Sequence, residues 1–405
     1  MSGKLIITKT NWMQEYPDAI FSGLYNDSGF YQIHFSSNSK SDLNVGDILV
    51  GRVRDIVKNL NAAFIEIQPG VTGYFSIDEN PSPIFLNRKN TNKICQGDLV
   101  LVQIKKAAVK TKAPVLTAKI SLTGKYLVLI GNDSGISVSN KISDKNIRTE
   151  LKQFMETSKT TLDTAVIIRT NAQADAEQKW NAVQKELQDL ELQWEELKKY
   201  ACHRPAFYLM KEAEPEYLRQ LKGAYKNEIK EILTDDVEIH RTISDYLEIE
   251  QLQTISLVQY TDALLPLYKL YSLETVIKRV LSKHVWLKSG AYLVIEPTEA
   301  MVVIDVNTGK CQKGKNPEET MLRVNKEAAK EIAMQLQLRN LSGIIVIDFI
   351  NMEEEKSQEQ LIEALKQYIQ NDKIKTNFVE LTKLNLVLLT RKKTEAPIYE
   401  QLERL

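Results

Sequence analysis

At 405 residues, with 43% hydrophobic and 26% charged side chains, the chain has the composition of a globular protein with several domains and sizeable cores. Basic and acidic residues number 53 each, so a nucleic-acid surface has to be a local patch rather than a consequence of net charge. Three scattered cysteines (Cys95, Cys202, Cys311) with no CxxC pair argue against a disulfide framework and a cysteine zinc site; with no signal-peptide layout and no long apolar run, the cytoplasm is the expected compartment.

Residues 4–9 read as a strand, and 17–35 as two strands around the turn Asn26-Asp27-Ser28-Gly29. Five β-type runs follow between 45 and 121, punctuated by Gly, Pro and Asn, which predicts a small closed barrel of the OB type. In AAFIEIQ the alternation turns Ala63, Ile65 and Ile67 to one face and Phe64 to the other. In GYFSI, Phe75 and Ile77 point in and Tyr74 points out. Phe64 and Tyr74 would then form a stacking platform for unpaired bases.

A short helix is predicted at 148–156, a buried strand at 164–169 and a long helix from about 172 to 201. The stripe Trp180, Val183, Leu187, Leu190, Trp194 and Leu197 on that helix is read as packing against its own domain. Residues 205–285 look mostly helical with short strands. The last 120 or so residues alternate strand and helix: a hairpin around Pro297-Thr298, a helix at 318–339, the strand 343–350, a helix at about 355–370 and the run FVELTKLNLVLLT.

VVIDV and IIVIDFI each read as a strand apolar on both faces, hence covered on both sides, with a single aspartate near its end. If the two strands are neighbours, Asp305 and Asp348 meet at one end of the sheet and require a counter-charge. A hydrated magnesium ion suits that demand, and Asn307 could orient a carboxylate or a metal-bound water. A lone aspartate at a strand end is more often a cap or turn former.

The stretch 292–351 (YLVIEPTEAMVVIDVNTGK…NPEETMLRVNKEAAKEIAMQLQLRNLSGIIVIDFINM) closely resembles the catalytic core of the ribonuclease E/G family. The resemblance implies an α+β multidomain architecture. An RNase-H-like subdomain would take 1–43 with 214–282, an OB-fold RNA-binding domain 44–118 and a 5′-phosphate sensor 119–213. A DNase-I-like α/β catalytic domain would span 283–397, with a C-terminal tail at 398–405. It also implies a magnesium-dependent endoribonuclease, with manganese as a substitute ion, that cuts single-stranded RNA in rRNA processing and mRNA decay and is stimulated by a 5′-monophosphate.

Carried over residue by residue, Asp305 and Asp348 hold the metal, with Asn307 in support. Lys375 stands at an arginine position near the cut phosphate, keeping the charge but not the bidentate geometry. Phe64, Tyr74 and Lys112 contact RNA. Gly124, Val128, Arg169 and Thr170 hold the terminal phosphate, with backbone N–H groups of 124–128 completing the cup. Asn385 and Leu388 depart from the family's glycine and glutamate, and Arg391, Lys392 and Lys393 are read as a phosphate-holding or a solvated run. The CPxC zinc-link motif of many relatives is not found, so no zinc is predicted, and a monomer and a zinc-free homodimer both remain open. Two other readings stay in play: a non-catalytic, ribosome-associated RNA-binding protein, and cleavage of single-stranded DNA, since the sequence does not show whether the 2′-hydroxyl is read.

Overall fold

The computed structural model describes residues 3–38, 43–87, 93–108, 112–140, 142, 144–178, 180–223, 229–250, 252, 254–311 and 316–405. The chain divides into two compact units, Met1–Ser39 with Asn227–Leu405, and Lys40–Lys226. No described helix is long and apolar enough to cross a membrane.

In the unit Lys40–Lys226, strands Ile48–Val57, Ala62–Gln68, Val71–Ser76, Val115–Thr117 and Leu99–Lys106 run in that spatial order. The first and last of them pair, so the sheet closes into a five-stranded barrel consistent with an OB-like fold. Ile65, Ile67, Phe75, Val102 and Leu116 fill its interior. Strand Leu209–Lys211 adds to the Ile48–Val57 edge, a pairing hidden in the sequence because it joins segments over 150 residues apart.

A second sheet orders Gly135–Val138, Thr164–Ile168, Leu127–Gly131 and Ile120–Thr123. The predicted stripe of Val183, Leu187, Leu190, Trp194 and Leu197 is buried with this sheet's apolar residues. A Cβ on Gly131 would come within 2.5 Å of the Trp194 ring, so the helix can approach this closely only over a glycine. The helix starts later than its periodicity suggests. Thr170–Gln178 is a 3-10 segment, Trp180 is left-handed (φ 65°), and the α-helix runs Asn181–Ala201. Asp175 accepts from the backbone N–H groups of Ala182 and Val183 and so caps the new start.

In the other unit, Gly3–Lys9, Ala19–Asn26 and Gly29–Ser37 share one sheet with Ile229–Thr234 and Ser256–Gln259. Within the C-terminal segment, Ile398–Leu402 is a helix, with Ile398 and Leu402 each 1% exposed and clustered with Phe35 and Ile33. Five residues are too few to show a helical period, so the sequence could not reveal it.

The same unit carries a six-stranded sheet ordered His284–Trp286, Tyr292–Pro297, Met301–Asn307, Gly343–Asp348, Leu386–Arg391 and Thr376–Leu381. Helices Pro317–Leu338 and Glu355–Gln370 bury Ile332, Leu336, Leu361 and Leu365 against Ile304, Ile345, Ile347 and Leu389. Asn316, whose side chain accepts from Glu318 and Glu319 N–H, and Pro317 at the first position start the longer helix.

Candidate active site and nucleic-acid interface

Met301–Asn307 and Gly343–Asp348 are adjacent and parallel, and their register sets Asp305 directly opposite Asp348. Residues opposite each other in neighbouring strands share a face, with backbones about 4.8 Å apart. The Asn307 amide donates to Oδ2 of Asp305 at 2.7 Å. Burial and the adjacent Asp305 charge together hold the Asp348 carboxyl above the ordinary carboxylate range. Among the described residues no lysine or arginine is ion-paired with either aspartate, and no third His, Cys, Asp or Glu joins them in a metal-sized cluster. Two adjacent like charges, one of them holding a carboxamide and neither ion-paired among the described residues, are a donor set that fits a hydrated magnesium ion, which takes few protein ligands.

Coverage of these strands on both sides is not what the structure shows. Val302, Ile304, Val306, Ile345 and Ile347 are buried under the helices, whereas Ile344 is 48% exposed and Asp348 lies open on the other face. The apolar residues Met301, Val303, Ile344 and Val346 line this half-open face, which is why both runs look apolar throughout. Asp305 and Asn307 are half-buried there, reachable by a large substrate.

The end of the Asp348 strand is pinned from the core side. Asn325, fully buried on the long helix, donates to the Ile350 carbonyl at 2.8 Å and accepts from the Ile350 N–H at 3.0 Å. The one clue in the sequence is an asparagine within the buried stripe VNKEAAKEIA.

Lys375 is not brought to the pair. Thr376 pairs with Arg391, which pairs with Gly343, so Lys375 lies at the opposite end of the sheet from Asp348. Strand geometry makes that separation roughly 20 Å. Arg391, read as part of a phosphate-holding or solvated run, is 3% exposed and forks onto Asp372, with Nε to Oδ2 at 2.6 Å and Nη2 to Oδ1 at 3.3 Å. Its Nη1 donates to Asn340 Oδ1 and the Leu341 carbonyl, both at 2.9 Å. That guanidinium is a structural clasp. Asn385 takes a left-handed conformation (φ 61°), which explains a glycine preference at this position.

In the unit Lys40–Lys226, Phe64 and Tyr74 are cross-strand partners on the barrel's outer face, half-exposed, with ring centroids 6.2 Å apart. Tyr74 N–H donates to the Pro114 carbonyl at 2.8 Å, and the exposed Lys112 stands two residues earlier in the chain.

Gly124, Val128, Arg169 and Thr170 lie around one end of this unit's second sheet. The turn between Ile120–Thr123 and Leu127–Gly131 lies beside the end of Thr164–Ile168, and Arg169 N–H donates to the Tyr126 carbonyl at 2.7 Å. The Arg169 guanidinium donates to the Gly124 carbonyl. Thr170 Oγ1 lies 3.4 Å from Ser139 Oγ, and Arg148 Nη1 donates to the Ser139 carbonyl at 2.7 Å. Arg148 thus adds a cation one residue away from Thr170 that the sequence reading missed.

The expected cup of backbone N–H groups is corrected. Those of Lys125, Tyr126 and Leu127 donate to the Glu186 carboxylate at 2.9, 2.9 and 2.8 Å, and that of Gly124 donates to the Leu127 carbonyl. Three consecutive amides holding one carboxylate form an anion nest filled from within the chain. A Cβ on Gly124 would lie 2.2 Å from Glu186 Oε1, so the nest closes only over glycine. Glu186→Ala is expected to lower the melting temperature through a loss of about 1–3 kcal/mol, with Glu186→Gln intermediate; an unchanged calorimetric transition in both variants would contradict this role.

The sequence profile of the Ribonuclease E/G family matches residues 121–394. Ribonuclease E of Synechocystis sp. is 34% identical over 362 residues, covering 88% of this chain and 53% of that protein. Ribonuclease G of Haemophilus influenzae is 31% identical over 379 residues, covering 90% of this chain and 75% of that protein. Ribonuclease G of Escherichia coli is 30% identical over 385 residues, covering 92% and 78%. The chain thus spans about half the length of the Synechocystis relative.

Proposed function

Because the chain belongs to the ribonuclease E/G family, we propose that it is a metal-dependent endoribonuclease that cuts single-stranded RNA in RNA processing and decay. The observation that carries this reading is the register pairing of Asp305 with Asp348 on a half-open sheet face. In it, both carboxylates hold one magnesium ion, or manganese in its place, and Asn307 fixes the rotamer of Asp305 through its amide. A cation bound there supplies Lewis-acid stabilisation of charge on the phosphate and a more acidic water.

The remaining residues bind and orient. Phe64 and Tyr74 offer π-faces to bases of any sequence, and Lys112 a charge for the backbone. Arg169 and Thr170, with the Ser139 hydroxyl and Arg148 nearby, meet a 5′-terminal phosphate through side chains instead of the filled amide nest. The strands shared between the chain's beginning and residues 229–259 support an RNase-H-like subdomain assembled from both segments, and the helix-backed six-stranded sheet supports a DNase-I-like catalytic domain. Cytoplasmic action belongs to the same proposal.

The proposal is tested with an unstructured RNA oligomer carrying a 5′-monophosphate or a 5′-hydroxyl, with and without magnesium. Cleavage is expected only with the metal, and about 10-fold faster on the monophosphate, an advantage that Arg169→Ala removes. Binding without cleavage at any magnesium level would favour a non-catalytic RNA-binding protein.

A further inference from the structure

Trp286 has no task in the reaction proposed above. It sits on the edge strand His284–Trp286 and is 61% exposed, although a large indole ordinarily gains by burial. Its ring lies 5.0 Å from that of Tyr292, and the Tyr292 ring lies 5.8 Å from His284. The strand ladder fixes where this aromatic group stands. Trp286 is opposite Tyr292, and Tyr292 is opposite Asn307. Alternation then places Trp286, Tyr292, Asn307, Asp305 and Asp348 on one face of the sheet, with Val285 and Leu293 buried on the other. By strand spacing, the Tyr292 backbone is about 8 Å from that of Asp305 and the Trp286 backbone about 12 Å.

We infer that Trp286 and Tyr292 form a stacking subsite for one nucleobase of single-stranded RNA, adjoining the nucleotide whose phosphodiester faces Asp305 and Asp348. The inference rests on the proposed hydrolysis at that pair. Two features select RNA as the occupant. The platform is continuous with the carboxylate face, and a protein surface seated on it would also cover two like charges at a steep desolvation cost, whereas a phosphate can share their cation. Stacking on an exposed ring tolerates every base, so the subsite positions the strand without reading its sequence.

The test uses the full chain with magnesium and a set of unstructured RNA oligomers cut at one bond, each with a single abasic residue at a different position. With wild type, one position beside the cut is expected to lose about 10-fold or more in kcat/KM, and the others little. Trp286→Leu is expected to abolish that position dependence, and Trp286→Phe to keep most of it. Because the ring is largely exposed, neither substitution opens a core cavity. An abasic profile that is the same in wild type and Trp286→Leu overturns the subsite. The same profile together with a shift in sedimentation assigns the ring to contact between copies and overturns it as well. Titrating the set against Asp305→Asn separates the two claims. A chain that cuts no RNA contradicts the hydrolysis, whereas binding that shows no coupling between Trp286 and a single base overturns the subsite.

Discussion

Asp305→Asn and Asp348→Asn are each expected to lower kcat for RNA cleavage by about 10³-fold or more while changing RNA affinity by less than about 3-fold. Each carboxylate supplies half of the charge that recruits the cation, and the register gives neither a substitute among the described residues. Asparagine keeps the size and one acceptor but removes the charge that offsets the cost of stripping water from a divalent ion. Asn307→Ala should act more weakly, about 10-fold to 100-fold, because its amide orients Asp305 without bearing charge. Single-turnover rates and filter-binding affinities separate the two effects. A double variant Asp305→Asn/Asp348→Asn no worse than either single variant would show that the pair works as one unit.

Arg391→Met is expected to destabilise its unit by about 3–5 kcal/mol, because it strands Asp372 as a buried charge. Both side chains of the ion pair are almost inaccessible, at 2% and 5%, and the guanidinium also satisfies Asn340 and the Leu341 carbonyl. Calorimetry should register a fall of roughly 10 °C in the transition of that unit. Replacing both partners, Arg391→Met with Asp372→Leu, should recover most of the loss, since no buried charge remains unpaired. A single variant that melts within about 2 °C of wild type would show the clasp to be dispensable, and a loss of RNA affinity without a loss of stability would return Arg391 to phosphate binding.

Residue patterning exposed the parts of this protein that depend on alternation and on local composition. The barrel's inward Ile65, Ile67 and Phe75 against outward Phe64 and Tyr74 could be read strand by strand. The hairpin that places Asp305 could be read from AYLVIE and AMVVIDV, and the structure pairs them antiparallel. Other features depend on which distant segments meet. Glu186 looks like one more charge on a helix surface until the turn at Lys125–Leu127 folds onto it. Arg391 stands in a basic run that reads as solvated, and only its pairing with Asp372 reveals it as buried. Lys375 lies near Thr376 and Arg391 in the ladder, which carries it away from the carboxylates. Nor could apolar content tell a strand covered on both faces from one whose second face, with Ile344 and Met301, remains half open.

The proposed chemistry requires Asp305 and Asp348 to share one divalent ion. Electron paramagnetic resonance of manganese titrated into the full chain measures this directly, because bound and free manganese give distinct signals. One tight site per chain is expected in wild type, weakened about 100-fold or more in both Asp305→Asn and Asp348→Asn. The same tight site with unchanged affinity in the two variants would place the ion elsewhere and contradict the proposed chemistry.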